Sequence, residues 1–211
     1  MAQSVRGAFV CLEGIDGAGK NTQTKMLAER LRGIGTSPSV YSYPDYQSRY
    51  GRIIKDFLEK KIELTVQELF FLNALDMEKD RTRMTADMEG GRTVIADRYI
   101  TSTVAYQTAG GFDFDSAKGI VSLSGLPSPD IAFYLDIPTD LSSQRKGKQK
   151  PGRLDRFESA SEYLNKVRET YNRLYEERFF CKNWVRIDGN EDVAVVHEEI
   201  FLEVSRLFGL K

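Results

Sequence analysis

The stretch FVCLEGIDGAGKNTQ, residues 9–23, decides how this chain is read. Residues 7–13, GAFVCLE, are a short β-rich run followed at once by glycines, the pattern of a buried parallel strand. From Thr22 onward Met26, Leu27 and Leu31 fall at helical spacing, until GIG at 33–35 ends the helix. Between strand and helix lies Gly14-Ile-Asp-Gly-Ala-Gly-Lys20, the GxxxxGK spacing of a Walker A loop. Gly14, Gly17 and Gly19 let the backbone curl so that its N–H groups face phosphate oxygens. A helix starting near Lys20 adds its positive end, and Lys20 itself reaches the β and γ phosphates. A glycine-rich turn can match this pattern by chance, but here it joins a strand to a helix in the first βα unit. Gly14, Gly17, Ala18, Gly19, Lys20, Asn21 and Thr22 are therefore the candidate nucleotide-binding residues. The pattern ordinarily continues with Ser or Thr, whose hydroxyl ligates Mg²⁺; this chain has Asn21, whose amide oxygen also suits a hard cation, and Thr22 beside it.

Working outward, a second strand is expected at 39–43, closed by Pro44, then helices at 50–60 and 65–89. Gly90 and Gly91 precede TVIAD at 93–97, a third buried strand, and helices follow at 99–109 and 115–123. LPSPD turns into the strand IAFYLDI at 131–137, whereas residues 140–157 read as neither helix nor strand. A helix at 159–180, a strand at 184–188 and a helix at 191–208 complete the chain. Five strands alternating with helices make this an α/β protein, a three-layer arrangement of a parallel sheet covered on both faces. Ligands of such sheets collect beyond the carboxyl ends of the strands.

The 211 residues fit one domain, 1–211, with a small mobile subregion. With 30 basic and 31 acidic side chains the formal charge is -1, which favours neither a nucleic-acid polymer nor a membrane surface as a general partner. Cys11 and Cys181 match no metal spacing and no disulfide framework, so a reducing compartment is expected. The apolar run near the N-terminus is too short for a secretory signal, and no segment approaches a membrane span. A cytoplasmic protein is the expectation.

Two further features carry phosphate chemistry. Asp97 ends the third strand on the same edge as the glycine loop, where a carboxylate can hold Mg²⁺ or position an attacking phosphate. Arg98 follows, with paired donors suited to a phosphate dianion, although a salt-bridged pair capping a strand is the plainer alternative. Between 145 and 156 stand Arg145, Lys146, Lys148, Lys150, Arg153 and Arg156, against only Asp155. A solvated loop accounts for such a run; so does a lid over about 142–158 that closes on a transferring phosphoryl group and excludes water. The Walker loop supplies only Lys20, so the remaining positive charge has to come from elsewhere.

Taken together, FVCLEGIDGAGKNTQ, YP at 43–44, YGRIIKDFL at 50–58, GGRTVIADRYITSTVAYQ at 90–107, GLPSPDIAFYLDI at 125–137 and GRLDRFE at 152–158 resemble the thymidylate kinase family of P-loop nucleoside monophosphate kinases. The resemblance covers essentially the whole chain, and ADRY with S-x-x-x-Y-Q downstream is its most specific part. It implies a P-loop kinase fold, transfer of the ATP γ-phosphoryl to dTMP with Mg²⁺, and a homodimer. By the same resemblance Asp16 lies by the acceptor's sugar and phosphates, Asp97 and Arg98 serve metal and acceptor phosphate, and Asn21 and Asp97 are the metal candidates. Tyr106 packs on the deoxyribose, Gln107 lies by the base, Ser102 belongs to the same segment, and Arg145 lies by the adenine or phosphates of ATP. Family members without a basic residue in the Walker loop carry the catalytic cation in the lid; Ala18 puts this chain with them, and Arg153 and Lys148 are the candidates.

The chain departs from the family at three places. Asn21 replaces the metal-binding hydroxyl. After YP the family's phosphate-binding arginine is replaced by Tyr46, with Arg49 further along. The family's Phe-x-Ala-x-Arg, whose phenylalanine stacks on thymine, becomes LFFLNALDMEKDR: Phe70 or Phe71 can stack, but the arginine falls on Leu75 or Asp76. An aspartate there would favour an N–H donor over a carbonyl, so a related monophosphate kinase with another base preference is the nearest alternative. A non-catalytic nucleotide-binding module is the next. A guanine-switch GTPase is disfavoured, because no N-K-x-D segment is present.

Overall fold

The computed structural model describes residues 6–149 and 161–209. Five strands, β1 (Phe9–Glu13), β2 (Ser39–Ser42), β3 (Val94–Asp97), β4 (Ile131–Asp136) and β5 (Trp184–Asp188), form one parallel sheet in the order β2-β3-β1-β4-β5. Every residue of β1, β3 and β4 is buried, which is why these strands read as short apolar runs rather than alternating ones. The two edges, β2 and β5, are only partly covered. Register places Leu12 opposite Asp97 and Glu13 opposite Tyr134, so the loop leaving β1 emerges between the carboxyl ends of β3 and β4.

The helices are α1 (Lys20–Gly33), α2 (Arg49–Leu58), α3 (Val66–Glu78), α4 (Arg81–Glu89) and α5 (Ile100–Ala109). They continue with α6 (Phe114–Leu123), α7 (Thr139–Gln149), α8 (Ser161–Glu176) and α9 (Val193–Phe208). Helices cover both faces of the sheet, with α1 packed on α9 and α5 packed on α3, α6 and α8. Among the described residues, no helix is long and apolar enough to cross a membrane.

Two expectations fail here. The helix expected over 65–89 is two, α3 and α4, parted at Lys79 and Asp80. A capping box of Thr65 and Glu68 starts α3, and the Lys79 ammonium closes it by donating to the Asp76 carbonyl (2.7 Å). Lys79 is also paired with Asp45, Asp76 and Asp80, so the break is made by tertiary charge contacts and not by a breaker residue. Residues 140–157 were expected to be irregular, yet α7 takes up Thr139–Gln149. This helix lacks an apolar stripe and docks through polar groups instead. Ser142 Oγ donates to the Asp16 carbonyl (2.6 Å), and Arg145 donates to the carbonyls of Gly17 (3.2 Å) and Gly189 (3.0 Å).

Candidate active site

The loop after β1 has the curled backbone that its glycines require. Gly14 has φ +138°, and a Cβ there would sit 2.5 Å from the Leu135 carbonyl oxygen. Gly17 has φ +77°, and a Cβ would lie 3.1 Å from the Ser142 oxygen of α7. No L side chain suits either position. Gly19 caps α1 without a side-chain hydrogen bond to the first turn, whose N–H groups and helix dipole suit an anion. Lys20 is buried and bends back over the loop, donating to the carbonyls of Gly14 (2.9 Å) and Ile15 (2.8 Å). Burial, and next the charge of Arg98, push its pKa down to about 7.

Arg98 is the centre of the second cluster. Its backbone is left-handed (φ 67°), anchored by its N–H on the Leu12 carbonyl (3.0 Å). The guanidinium donates to the Gly14 carbonyl (3.0 Å), to Asp16 (2.6 Å) and to the Tyr106 hydroxyl (3.3 Å). Asp16 also accepts from Tyr106 (3.2 Å) and faces the Lys146 ammonium at 3.7 Å. Burial would raise the Asp16 pKa, but Arg98, Lys20 and Lys146 outweigh it and hold the carboxyl well below the usual carboxylate range. Beneath them Glu13, fully buried, accepts from the Tyr99 N–H and from the hydroxyls of Thr101, Ser102 and Tyr171, fixing the turn that carries Arg98.

Two cavities open on this cluster. One, about 750 Å³, is lined by Gly17, Gly19, Lys20, Asn21, Thr22 and Asp97. The other, about 720 Å³, lies between Tyr43, Pro44 and Tyr46, the α2 residues Ile54 and Leu58, the α3 residues Leu69, Asn73 and Met77, and Ser102, Thr103, Tyr106 and Gln107 of α5. Asp16, Arg98 and Lys146 line both. At the first cavity Asn21 donates to Asp97 (3.3 Å). Mg²⁺ is typically held by one or two carboxylates together with substrate phosphates and water, and Asp97 with the Asn21 amide fits that donor set.

The structure thus gathers Gly14, Asp16, Gly17, Gly19, Lys20, Asn21, Thr22, Asp97, Arg98, Ser102, Tyr106 and Gln107 around one divided cleft. Ala18 is buried beneath the loop, and Arg145 ties that loop to the turn after β5. Other expected positions are not at the cleft. Phe70 is wholly enclosed and stacks on Phe112 with centroids 4.7 Å apart, and Phe71 is exposed; neither lines the cavity. The reason is register: α3 turns Leu69, Asn73 and Met77, spaced by four, toward it. Asp76 does not line the second cavity either, being fully buried against Asp45 and Ser48, and Leu75 is exposed. Arg49 lies over the Tyr50 ring and donates to its hydroxyl (2.6 Å), away from both cavities.

Lys148 falls within α7, but its side chain, like the whole of Arg153, lies outside the described residues. The described lid-side cation that reaches the cleft is Lys146, which the charge run contained but could not single out. Thr103 was also missed. It is buried, its Oγ1 has no hydrogen-bond partner, and it lines the second cavity one helical turn before Gln107. That four-residue spacing was the available signal.

Comparison with known proteins finds relatives that match nearly the whole chain. The family model described as thymidylate kinase matches residues 12–200. A probable thymidylate kinase of Pyrococcus abyssi is 33% identical over 213 residues, covering 98% of this chain and 100% of that protein. The thymidylate kinase of Thermoanaerobacter sp. (strain X514) is 31% identical over 206 residues, covering 96% and 99%. Among solved structures, a thymidylate kinase from Candida albicans has the same fold, with a TM-score of 0.80 over 98% of this chain and 94% of that one at 22% identity.

Proposed function

The chain belongs to the thymidylate kinase family, and from that premise we propose how its divided cleft performs the ATP-dependent phosphorylation of dTMP. The observation that carries the reading is that Asp16, Arg98 and Lys146 line both cavities, so two ligands would meet at these residues. The cavity at the glycine loop takes the ATP phosphates, and the one walled by α2, α3 and α5 takes the acceptor nucleotide. Arg145, which bridges Gly17 and Gly189, supports placing the adenine beside that turn.

An acceptor phosphate oxygen is already a nucleophile, so the chain's task is to align the reactants and neutralise charge. Lys20 leaves the loop carbonyls for the β and γ phosphates of the donor. Arg98, half-buried with its fork toward Asp16 and Tyr106, meets the acceptor phosphate, while Lys146 adds a second cation at the border. Asp97 and Asn21 hold Mg²⁺, which when bound screens the phosphate charge. Tyr106 walls the deoxyribose. Gln107 and Asn73 face the base edge, supported by their positions in the second cavity. A homodimer is part of the same proposal; exposed Phe71 and Leu75 on α3 supply an apolar strip, and sedimentation velocity tests it.

The deciding experiment measures ADP formation from Mg²⁺-ATP with dTMP, dUMP, dCMP, dGMP, dAMP and UMP. A kcat/KM for dTMP above every other acceptor by about tenfold, 1.4 kcal/mol of discrimination, is expected. A preference for another base would overturn the assignment of the base edge, and no turnover in protein that binds ATP would overturn the catalytic reading.

A further inference from the structure

Asp76 is a wholly buried carboxylate that no step above uses. It sits on α3 one residue before Met77, facing away from the acceptor cavity and toward the loop that follows β2. Its oxygens accept from the Asp45 N–H (2.7 Å) and from the Ser48 hydroxyl, and Lys79 pairs with it at 3.1 Å. Ser48 passes the contact on: its Oγ accepts from the Gly51 N–H (2.8 Å) and so caps α2. The junction is tight, because a Cβ at Gly51 would fall 1.9 Å from the Asp45 carbonyl oxygen.

The groups this carboxylate ties together frame the acceptor cavity on three sides. Tyr43, Pro44 and Tyr46 precede and span Asp45; Ile54 and Leu58 stand on the helix that Ser48 caps; Leu69, Asn73 and Met77 stand on the helix of Asp76 itself. Asp76 is the buried carboxylate that bonds both the Asp45 backbone and the Ser48 cap of α2, and side-chain hydrogen bonds to a charged group are the strong kind. We infer that Asp76 is a positioning residue for the acceptor site, a clamp that holds the 43–48 loop and α2 against α3 and so sets the width of the base subsite. It acts through the wall and touches no substrate. The inference rests on reading this cavity as the acceptor site.

The test combines dTMP and ATP binding by calorimetry, steady-state kinetics and hydrogen exchange on full-length Asp76→Asn and Ser48→Ala, all below their unfolding temperatures. Asp76→Asn should weaken dTMP binding and raise its KM by about tenfold while the ATP constants change less than about twofold. Amide exchange should rise in segments 43–48 and 49–58 and stay unchanged in the glycine loop. Ser48→Ala, at a partly exposed position, should move the same quantities in the same direction by about threefold, and decides the matter if Asp76→Asn does not fold. A folded variant with wild-type dTMP affinity, or one that loses ATP affinity equally, overturns the inference. Wild-type protein that binds no dTMP would overturn the acceptor reading and the clamp with it.

Discussion

The two halves of the cleft are built by different means. The donor half is chiefly a backbone device: Gly14 and Gly17 adopt positive φ, the start of α1 supplies N–H groups, and most of its lining is the one stretch Asp16 to Thr22, bordered by Asp97, Arg98 and Lys146. The acceptor half is a side-chain device, assembled from the loop after β2, three helices and a buried carboxylate, with residues from Asp16 to Lys146 meeting across the fold. A site written in local backbone conformation is fixed as soon as its strand and helix form. A site written in long-range side-chain contacts depends on which face each helix turns inward, and one aspartate can reset it.

Arg98 is where the two halves join, so its removal is the largest perturbation available. Arg98→Ala should lower kcat/KM by about a thousandfold or more, roughly 4 kcal/mol of transition-state stabilisation, because no other described group puts a paired donor at the border. Circular dichroism should show the fold intact. Lys20→Ala should be comparably inactive, with the loss seen on the ATP side. Either variant with wild-type kcat/KM for both substrates would break the division of labour between the halves.

The difference also explains what the sequence revealed. The five strands, their parallel sheet and the glycine loop were legible, because GxxxxGK between a β-rich run and an apolar-periodic helix constrains φ and burial together, but the strand order was not read from the sequence. Asp97 and Arg98 were legible for the same reason, as they follow directly from a buried strand end, whereas Tyr106 was named through the family resemblance. The face of α3 was not. Leu69, Phe70, Leu72, Ala74, Leu75 and Met77 are apolar all round that helix, so periodicity alone does not choose between Phe70 and Leu69 as the cavity-facing position. The helix α7 was missed because it docks by Ser142 and Arg145 on loop carbonyls, contacts that leave no hydrophobic period behind.

A second pair of residues sharpens the comparison, the buried aspartates Asp76 and Asp136. Asp136 ends β4 beneath the donor loop and is paired with Arg168 of α8 (2.6 Å) and with Arg186 of β5. Burial raises its pKa, but hydrogen bonds from Arg168 and Arg186 prevail and bring it to about 2. Its folded pKa is below the unfolded value, so the stabilisation is full above about pH 4 and is lost as pH falls toward 2. Because water reaches both arginines, the contribution at neutral pH is about 1–2 kcal/mol. Denaturant titration of Asp136→Asn should show that deficit at pH 7 and a shrinking one below pH 4, with dTMP affinity unchanged. A deficit that stayed constant to pH 2 would mean that the ion pairs are not its source.

Thr103 offers the finest cut. Its buried Oγ1 has no partner among the described residues and presents no surface to the cavity, and an unpaired buried hydroxyl costs about 1–3 kcal/mol, so in the free chain this atom is a debit. Replacing it by valine keeps the shape and removes the polar atom. Thr103→Val should therefore leave the free protein as stable as wild type or slightly more so, with dTMP affinity within about twofold of wild type. ATP binding, handled by the backbone half, should not move. Unreduced stability with acceptor affinity unmoved is the informative result. A hydroxyl bonded within the fold would lose stability on replacement, one that turned onto the base would lose acceptor affinity, and an unpaired buried hydroxyl loses neither.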